Sequence, residues 1–322
     1  MKAVVLERYG TPDVLKLRDE PKPAPKTGEV LVRVHAASIN DWDWAILQGK
    51  PFVTRLLHGL FTPKVRILGC DIAGRVEAVG PNVARFGPGD EVHGDLCMSG
   101  FGALAEYACA PESGLARKPA RMTFEQAAAI PQAGMLAVQG LIDVGRIHAG
   151  QRLLLNGAGG GVGTFALQIA RLQGLEVTVV DKPAKLDMLR AMGAGRVIDY
   201  LSEDFTKRDE RYDVILDVKT NRSPFAYARV LNPGGAYVTV GGSMPRLMQV
   251  LALGQPMSRL YKKHLKMVML KPNKDLAYMD ELFESGKLVP VIDRSYKLED
   301  ASEAFRRFAT GDHQGKIIVT MT

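Results

Sequence analysis

The stretch Gln151–Ala170, QRLLLNGAGGGVGTFALQIA, decides the fold. A short apolar run leads into a cluster of glycines, and a helix-period pattern follows. That order of strand, tight turn and helix is typical of a dinucleotide-binding unit. A pyrophosphate can reach the backbone N–H groups of a helix N-terminus only where no Cβ atom blocks it. We therefore predict cofactor contacts along the turn, from Gly157, Ala158, Gly159, Gly160, Gly161, Val162 and Gly163.

The flanking sequence supports this interpretation of the glycine cluster. Strand-like and helical patterns alternate after it, as EVTVVD, a helix over Ala184–Met192, RVIDY, YDVILDV, a helix near Phe225–Leu231, and AYVTVGG. Such alternation predicts a parallel sheet with right-handed crossovers. The fold class is therefore α/β, with the glycine turn in a doubly wound Rossmann domain.

The first hundred or so residues have a different character. Lys2–Glu7 and Glu29–Ala36 are strand-like, and the run Ile67–Val79 is followed by two turn signals, GPNV and GPGDEV. This pattern favours a compact, barrel-like β domain. The composition changes near Ala120, where Thr123 and Gln126 have capping-box spacing at the start of a helix.

Composition excludes several classes of protein. The chain has 322 residues, of which 46% are hydrophobic and 24% charged, as in a globular protein with a sizeable core. Its three cysteines lack CxxC spacing, which argues against a disulfide framework and a structural zinc lobe. No signal sequence or spanning helix is evident, so we expect a cytoplasmic location. The net charge of +7 is modest and does not indicate nucleic-acid binding.

The form of the cofactor is ambiguous in the sequence. Asp181, at the end of EVTVVD, is placed to accept both ribose hydroxyls of NADH. Lys182 and Lys185 are placed to pair with the 2′-phosphate of NADPH. We favour NADPH and keep NADH as the alternative. At the ends of two later strands, we expect Val218, Gly241 and Gly242 to line the nicotinamide side.

The order of four motifs resembles a known family. ILGCDIAGRVEAVGPNVARFGPGDEVHG, GALAEY, LNGAGGGVGTFALQIARLQG and LRAMGAGRVIDY occur as in the medium-chain dehydrogenase/reductase superfamily. Within it, the chain is similar to the zinc-free quinone oxidoreductase (zeta-crystallin-like) branch. The resemblance implies a GroES-like catalytic domain of residues 1–121 and 266–322, and an inserted Rossmann domain of residues 122–265.

The resemblance also implies roles for individual residues. Lys185 matches a phosphate-contacting lysine of NADPH-dependent quinone reductases, and Tyr200 matches their adenine-stacking tyrosine. The family's Asn-x-x-Asp pattern reappears as Asn40 and Asp43, which we expect to position substrate near the nicotinamide. Asn40 stands where the zinc-dependent relatives have their first cysteine ligand, Cys70 stands in place of a histidine, and no cysteine occurs at 132–135. We therefore expect no zinc.

Without a metal, hydride transfer to a quinone or an α,β-unsaturated carbonyl needs alignment and hydrogen-bond donors rather than a strong acid. The leading interpretation is thus a zinc-independent, NAD(P)H-dependent oxidoreductase acting on such acceptors. One alternative is an alcohol dehydrogenase or carbonyl reductase of the same fold. Another is a non-enzymatic nucleotide-binding or structural protein.

The basic segment Pro245–Lys274 is the least explained part of the chain. Seven lysines and arginines lie among its leucines and methionines, a composition compatible with peripheral contact with an anionic membrane. We favour the other interpretation, a lid followed by an edge strand, KMVML, that family members pair across a homodimer.

Overall fold

The computed structural model of the protein describes residues 1–321. They form two compact units, one of residues 1–133 and from 272 onward, the other of residues 134–271. Both unit boundaries lie further along the chain than the predicted ones. The helix that follows Thr123 packs on the β-rich unit. The predicted boundary at 265/266 divides the strand His264–Met267, which pairs within the Rossmann sheet.

The first unit contains most of the β-structure. Its strands are β1 (Lys2–Leu6), β2 (Leu15–Asp19), β3 (Glu29–Ser38), β4 (Asp71–Val79), β5 (Glu91–Asp95), β6 (Tyr107–Pro111) and β7 (Ala116–Arg117). Its first helices are α1 (Asp41–Gln48), α2 (Phe52–His58) and α3 (Phe124–Ala129), and α4 (Pro131–Val138) crosses into the second unit. The predicted capping box is confirmed, because Gln126 N donates to Thr123 Oγ1 and Thr123 N donates to Gln126 Oε1.

The second unit alternates strands and helices as predicted. Its elements are a π-helical turn (Gln139–Val144), β8 (Arg152–Asn156), α5 (Gly161–Leu172), β9 (Glu176–Asp181), α6 (Pro183–Ala191), β10 (Arg196–Asp199), β11 (Tyr212–Asp217), α7 (Pro224–Arg229), β12 (Leu231–Thr239), α8 (Met244–Tyr261) and β13 (His264–Met267). The chain then returns to the first unit as α9 (Leu276–Glu284), β14 (Ile292–Lys297), α10 (Ala301–Thr310) and β15 (Lys316–Thr320).

Strand β3 is the centre of the first unit. The main sheet has the order β14-β15-β3-β4-β5-β7, and β6 also pairs with β3. The long strand keeps its apolar side chains Val30, Val32 and Val34 in the core. Because β15 runs antiparallel to β3, the last strand of the chain ends up beside residues 36–38.

The sheet of the second unit has the order β10-β9-β8-β11-β12-β13, and all of its pairings are parallel. This is the strand order of a Rossmann domain, so the predicted fold class is confirmed. The order reverses between β8 and β11, where such sheets bind ligands outside the carboxyl ends of their strands. The glycine turn follows β8 and therefore lies at this reversal.

The basic segment folds into one long helix and a short strand. Helix α8 has 18 residues, and β13 lies at the edge of the sheet. The predicted edge strand, KMVML, shares only Lys266 and Met267 with β13. Across residues 1–321, none of the helices combines the length and apolarity needed to cross a bilayer.

Candidate active site and cofactor turn

The glycine turn has the backbone geometry that a bound pyrophosphate requires. Gly157 follows β8 with φ +85°, a conformation that residues with a Cβ rarely adopt. Helix α5 begins at Gly161 with Gly160 as its N-cap, so the free N–H groups of its first turn lie at the carboxyl end of the sheet. At Gly163, an added Cβ would lie 2.4 Å from the carbonyl oxygens of Gly157 and Ala158. This glycine therefore permits the close packing of helix and turn.

The end of β9 contacts the glycine turn directly. The buried Asp181 carboxylate accepts a hydrogen bond from Gly159 N at 2.7 Å and another from Lys182 N at 2.8 Å. Lys185, in the first turn of α6, is buried, and its Cδ would lie 2.6 Å from a Cβ at Gly159. The Asp181 carboxylate and the Lys185 side chain thus both pack against Gly159.

Tyr200 lies beside the same group. It directly follows β10, whose last residue, Asp199, pairs with Asp181 in the sheet. The Tyr200 N–H also points to the Asp181 carbonyl oxygen at 3.4 Å. The residues predicted to recognise the adenosine half of the cofactor therefore occupy neighbouring positions at the carboxyl edge of the sheet: Asp181, Lys182, Lys185 and Tyr200.

A buried polar network that the sequence analysis missed lies at the carboxyl ends of β8 and β11, where the sequence predicts the nicotinamide side. The fully buried Asp217 carboxylate accepts hydrogen bonds from Asn156 Nδ2, Thr220 N and Tyr237 Oη, each at 2.8 Å, and from Lys219 N at 2.9 Å. Burial and the neighbouring Asp217 raise the pKa of Tyr237, so its hydroxyl remains a donor. The only signal in the sequence was an aspartate inside an apolar strand.

This network fixes the predicted residues Val218, Gly241 and Gly242. Val218 N donates to the Asn156 carbonyl oxygen at 3.0 Å, which joins the ends of β8 and β11. The Gly241 carbonyl accepts a hydrogen bond from Thr239 Oγ1 at 2.8 Å. Gly242 has φ +122°, and a Cβ there would lie 2.5 Å from Thr220 Cβ. The three residues are therefore held at the carboxyl edge of the sheet.

The first unit contains a second buried polar cluster, formed around Asn40 and Asp71. Asp71 Oδ2 accepts hydrogen bonds from Ser38 Oγ at 2.7 Å and from Asn40 Nδ2 at 2.8 Å. Its Oδ1 accepts a third from Gln132 N at 3.0 Å. Lys316 Nζ donates to Asn40 Oδ1 at 2.5 Å. Both ends of the Asn40 amide are therefore engaged within the protein.

Asp43 supports this cluster from beneath. Its Oδ2 accepts from Asn40 N at 3.0 Å and its Oδ1 from Gly69 N at 2.8 Å, which ties α1 to the segment before β4. The side chain is fully buried, and burial raises the pKa of Asp43 to about 7. The structure thus shows Asp43 holding Asn40, whereas contact of either residue with substrate stays a prediction.

Two further acidic groups complete the cluster. Burial, reinforced by Asp43 and Asp71, raises the pKa of the Cys70 thiol well above its usual range. Its sulfur accepts hydrogen bonds from Asn40 Nδ2 at 3.2 Å and from Gln132 Nε2 at 3.3 Å. Burial and the nearby Asp71 also raise the pKa of Asp95 to about 7. Sequence reasoning identified Asn40, Asp43 and Cys70 here, but missed Asp95, Gln132 and Lys316.

Comparison with known proteins agrees with both units. A family model described as an alcohol dehydrogenase GroES-like domain matches residues 26–120, and one described as a zinc-binding dehydrogenase matches residues 192–319. The chain is 30% identical to the chloroplastic quinone-oxidoreductase QR1 of Triphysaria versicolor, over 99% of this chain and 98% of that protein. It is 31% identical to 2-methylene-furan-3-one reductase of Solanum lycopersicum, over 99% and 79% of the two chains.

A solved structure shares the whole architecture. The quinone oxidoreductase from Coxiella burnetii superposes with a TM-score of 0.87 at 28% identity, over 100% of this chain and 99% of that one. With the Rossmann turn and the GroES-like unit in place, the chain belongs to the medium-chain dehydrogenase/reductase superfamily. Within that superfamily it falls in the quinone oxidoreductase branch, and it is a nicotinamide-dependent oxidoreductase.

One matched family description names zinc, but the cluster around Cys70 does not suit a zinc ion. Its candidate ligand atoms belong to Cys70, Asp71 and Asp95 and lie within 4.8 Å of one another, and no histidine nitrogen joins them in the described part of the chain. Zinc sites in proteins take most of their ligands from cysteine sulfur and histidine nitrogen, whereas this group offers one thiol and two carboxylates. The Asp71 oxygens already accept hydrogen bonds from three neighbours, and an ammonium group, that of Lys316, lies 3.4 Å away.

Proposed function

We propose that this protein transfers hydride from NADPH to a quinone or an α,β-unsaturated carbonyl compound, without a catalytic metal. The observation that carries the proposal is the glycine turn after β8, with Asp181 and Lys185 packed against Gly159. Two relatives of this chain bear the names quinone-oxidoreductase and 2-methylene-furan-3-one reductase, which agree with such acceptors.

The ribose pocket supports NADPH over NADH. Each oxygen of the Asp181 carboxylate already accepts a backbone N–H, so the carboxylate is partly neutralised by the turn itself. Lys182 is the N-cap of α6 and Lys185 lies in its first turn, and we propose that both ammonium groups face the 2′-phosphate. A 2′-phosphate meets two ammonium groups there, and charge-assisted hydrogen bonds of this kind are stronger than neutral ones.

The chain's own residues contribute positioning to the reaction. The bound nicotinamide supplies the hydride. The Asp217 network holds Val218 and Gly241 at the carboxyl edge of the sheet, and the Asn40–Asp71 cluster fixes the start of α1. We propose Asn40 and Asp43 as substrate-positioning residues, with Asp43 acting through Asn40 N.

Nucleotide titration tests the choice of cofactor. We expect wild-type protein to quench and shift NADPH fluorescence at lower concentrations than NADH. K185A should weaken NADPH binding at least about tenfold and leave NADH binding nearly unchanged, because a charge-assisted pair contributes about 1.5–3 kcal/mol. D181A should weaken NADH more than NADPH. Equal effects of K185A on both nucleotides would contradict the assignment of the 2′-phosphate.

Acceptor-dependent oxidation tests the reaction class. We expect NADPH oxidation with small quinones and enones, and no loss of rate after prolonged treatment with a chelator. A chelator-sensitive activity on alcohols would favour the alternative alcohol dehydrogenase. Nucleotide binding without turnover of any acceptor would favour the non-enzymatic alternative.

We further propose a homodimer formed through the β13 edge and a cytoplasmic location, which suits three free cysteines. Sedimentation equilibrium measures the first, and a mass of one chain would contradict it.

Contact of α8 with anionic membranes is the less favoured use of the basic segment. The exposed side chains of Met248, Leu251 and Leu260 would supply the apolar part of such a membrane contact. If the protein does not float with anionic liposomes at low salt, the membrane proposal is wrong.

A further inference from the structure

Lys316 is a buried cation whose place in the fold is set by the last strand. It begins β15, and only 3% of the residue is exposed. Antiparallel pairing continues past β3, since Ile39 N donates to the Ile317 carbonyl oxygen at 3.1 Å. This brings Lys316 Nζ to 2.5 Å from Asn40 Oδ1 and to 3.4 Å from both the Ile39 carbonyl oxygen and Asp71 Oδ2. All three ammonium donors therefore have acceptors within the protein.

Lys316 lies against a group of four acidic side chains. Asp71, Asp43, Asp95 and the Cys70 thiol form one buried group, and Lys316 Nζ is the cation that the structure places in contact with it. A buried carboxylate without a partner is strongly destabilising, so a cation is required there if Asp71 is ionised.

We propose that the Lys316 ammonium is a built-in cation that neutralises Asp71 and prevents divalent metal ions from binding to the Cys70–Asp71–Asp95 group. Zinc binds a carboxylate oxygen at about 2.0–2.2 Å, and Lys316 Nζ lies 3.4 Å from Asp71 Oδ2. An ion on that oxygen would therefore lie no more than about 5.6 Å from the ammonium, in a poorly solvated interior. The Lys316 ammonium would therefore repel a metal ion on Asp71 Oδ2 and weaken its binding.

This proposal differs from a purely structural role for Lys316. A structural lysine, once removed, would leave a less stable protein with unchanged metal affinity. A built-in cation, once removed, leaves three acidic ligands in one group and no competing charge. The proposal depends on this cluster alone, so failure of the proposed reductase activity would not affect it.

Metal titration of K316M provides the direct test. K118M is the matched control, because Lys118 is also buried in the first unit and pairs with an acid, Glu91, at 3.0 Å. We expect K316M to bind Co²⁺ at least about tenfold more tightly than wild type or K118M, the scale at which groups around a metal site change its affinity. Addition of C70S to K316M should remove the thiolate-to-cobalt absorption band.

The pH dependence of stability gives a second readout. Without the ammonium, an ionised Asp71 is left buried without its cation, which is strongly destabilising. The deficit in Tm relative to wild type should therefore grow as the pH rises from 5 to 8, and D71N added to K316M should reverse that growth. K118M should show no such effect of D71N.

Each outcome decides the proposal. Folded K316M that binds Co²⁺ no more tightly than wild type overturns it, and so does a Tm deficit that is independent of pH. Wild-type protein that binds Co²⁺ as tightly as K316M also overturns it. If K316M does not fold, K316Q keeps a hydrogen-bond donor for Asn40 without the charge, and the same gain in Co²⁺ affinity is required of it.

Discussion

Replacement of Gly163 by alanine tests whether close packing beneath the cofactor turn holds the second unit together. The new Cβ would lie 2.4 Å from two backbone carbonyl oxygens, those of Gly157 and Ala158, whereas ordinary contacts begin at 3.4 Å. Overpacking costs about 1–3 kcal/mol, and two rigid backbone atoms favour the upper value. Alanine regains about 1 kcal/mol of helix propensity. The net loss is therefore about 2 kcal/mol, or a Tm lower by roughly 4–8 °C.

G160A is the matched control for G163A. Gly160 has φ −91°, and the nearest atom to an added Cβ, the Gly157 carbonyl oxygen, is 3.9 Å away. The fold should tolerate this change at a cost below about 1 kcal/mol, the typical value for a helix N-cap. The Cβ would instead enter the space proposed for the pyrophosphate and weaken NADPH binding. Thermal unfolding and nucleotide titration of both variants make the test, and a Tm for G163A equal to that of G160A would refute the packing argument.

Two further predictions concern the buried carboxyl groups. D217N places an amide nitrogen among four donors and should lower the free energy of unfolding by about 3–5 kcal/mol. Y237F removes only one of these donors and should lower it by about 1 kcal/mol. Urea unfolding measures both losses, and equal losses would contradict the network. Asp95 has a folded pKa raised to about 7, so its contribution to stability is present below its unfolded pKa of about 3.9 and is lost as the pH rises toward 7. The decline in stability is at most about 1.4 kcal/mol per pH unit, and D95N should make it less steep. If the stability of D95N falls with pH in parallel with that of wild type, Asp95 does not titrate in this range.

Much of the fold could be predicted because its signals are local. The glycine turn, the alternation of β-branched runs with helices and the Thr123 capping box each depend on residues close together in the chain, and each is confirmed in place. The unit boundaries were less accurate, because strand pairing, rather than composition, assigns residues 264–267 to the Rossmann sheet.

The sequence by itself determined the cofactor class, since only a glycine-rich strand-to-helix turn leaves backbone N–H groups open to a pyrophosphate. Only the tertiary structure decided what surrounds Asn40. Lys316 is 276 residues away in the chain, yet antiparallel pairing of β15 with β3 places its ammonium against the Asn40 amide. Likewise, parallel pairing of β8 and β11 joins Asn156 to Asp217. Buried charges find their partners through strand register, and no local pattern of residues encodes that register.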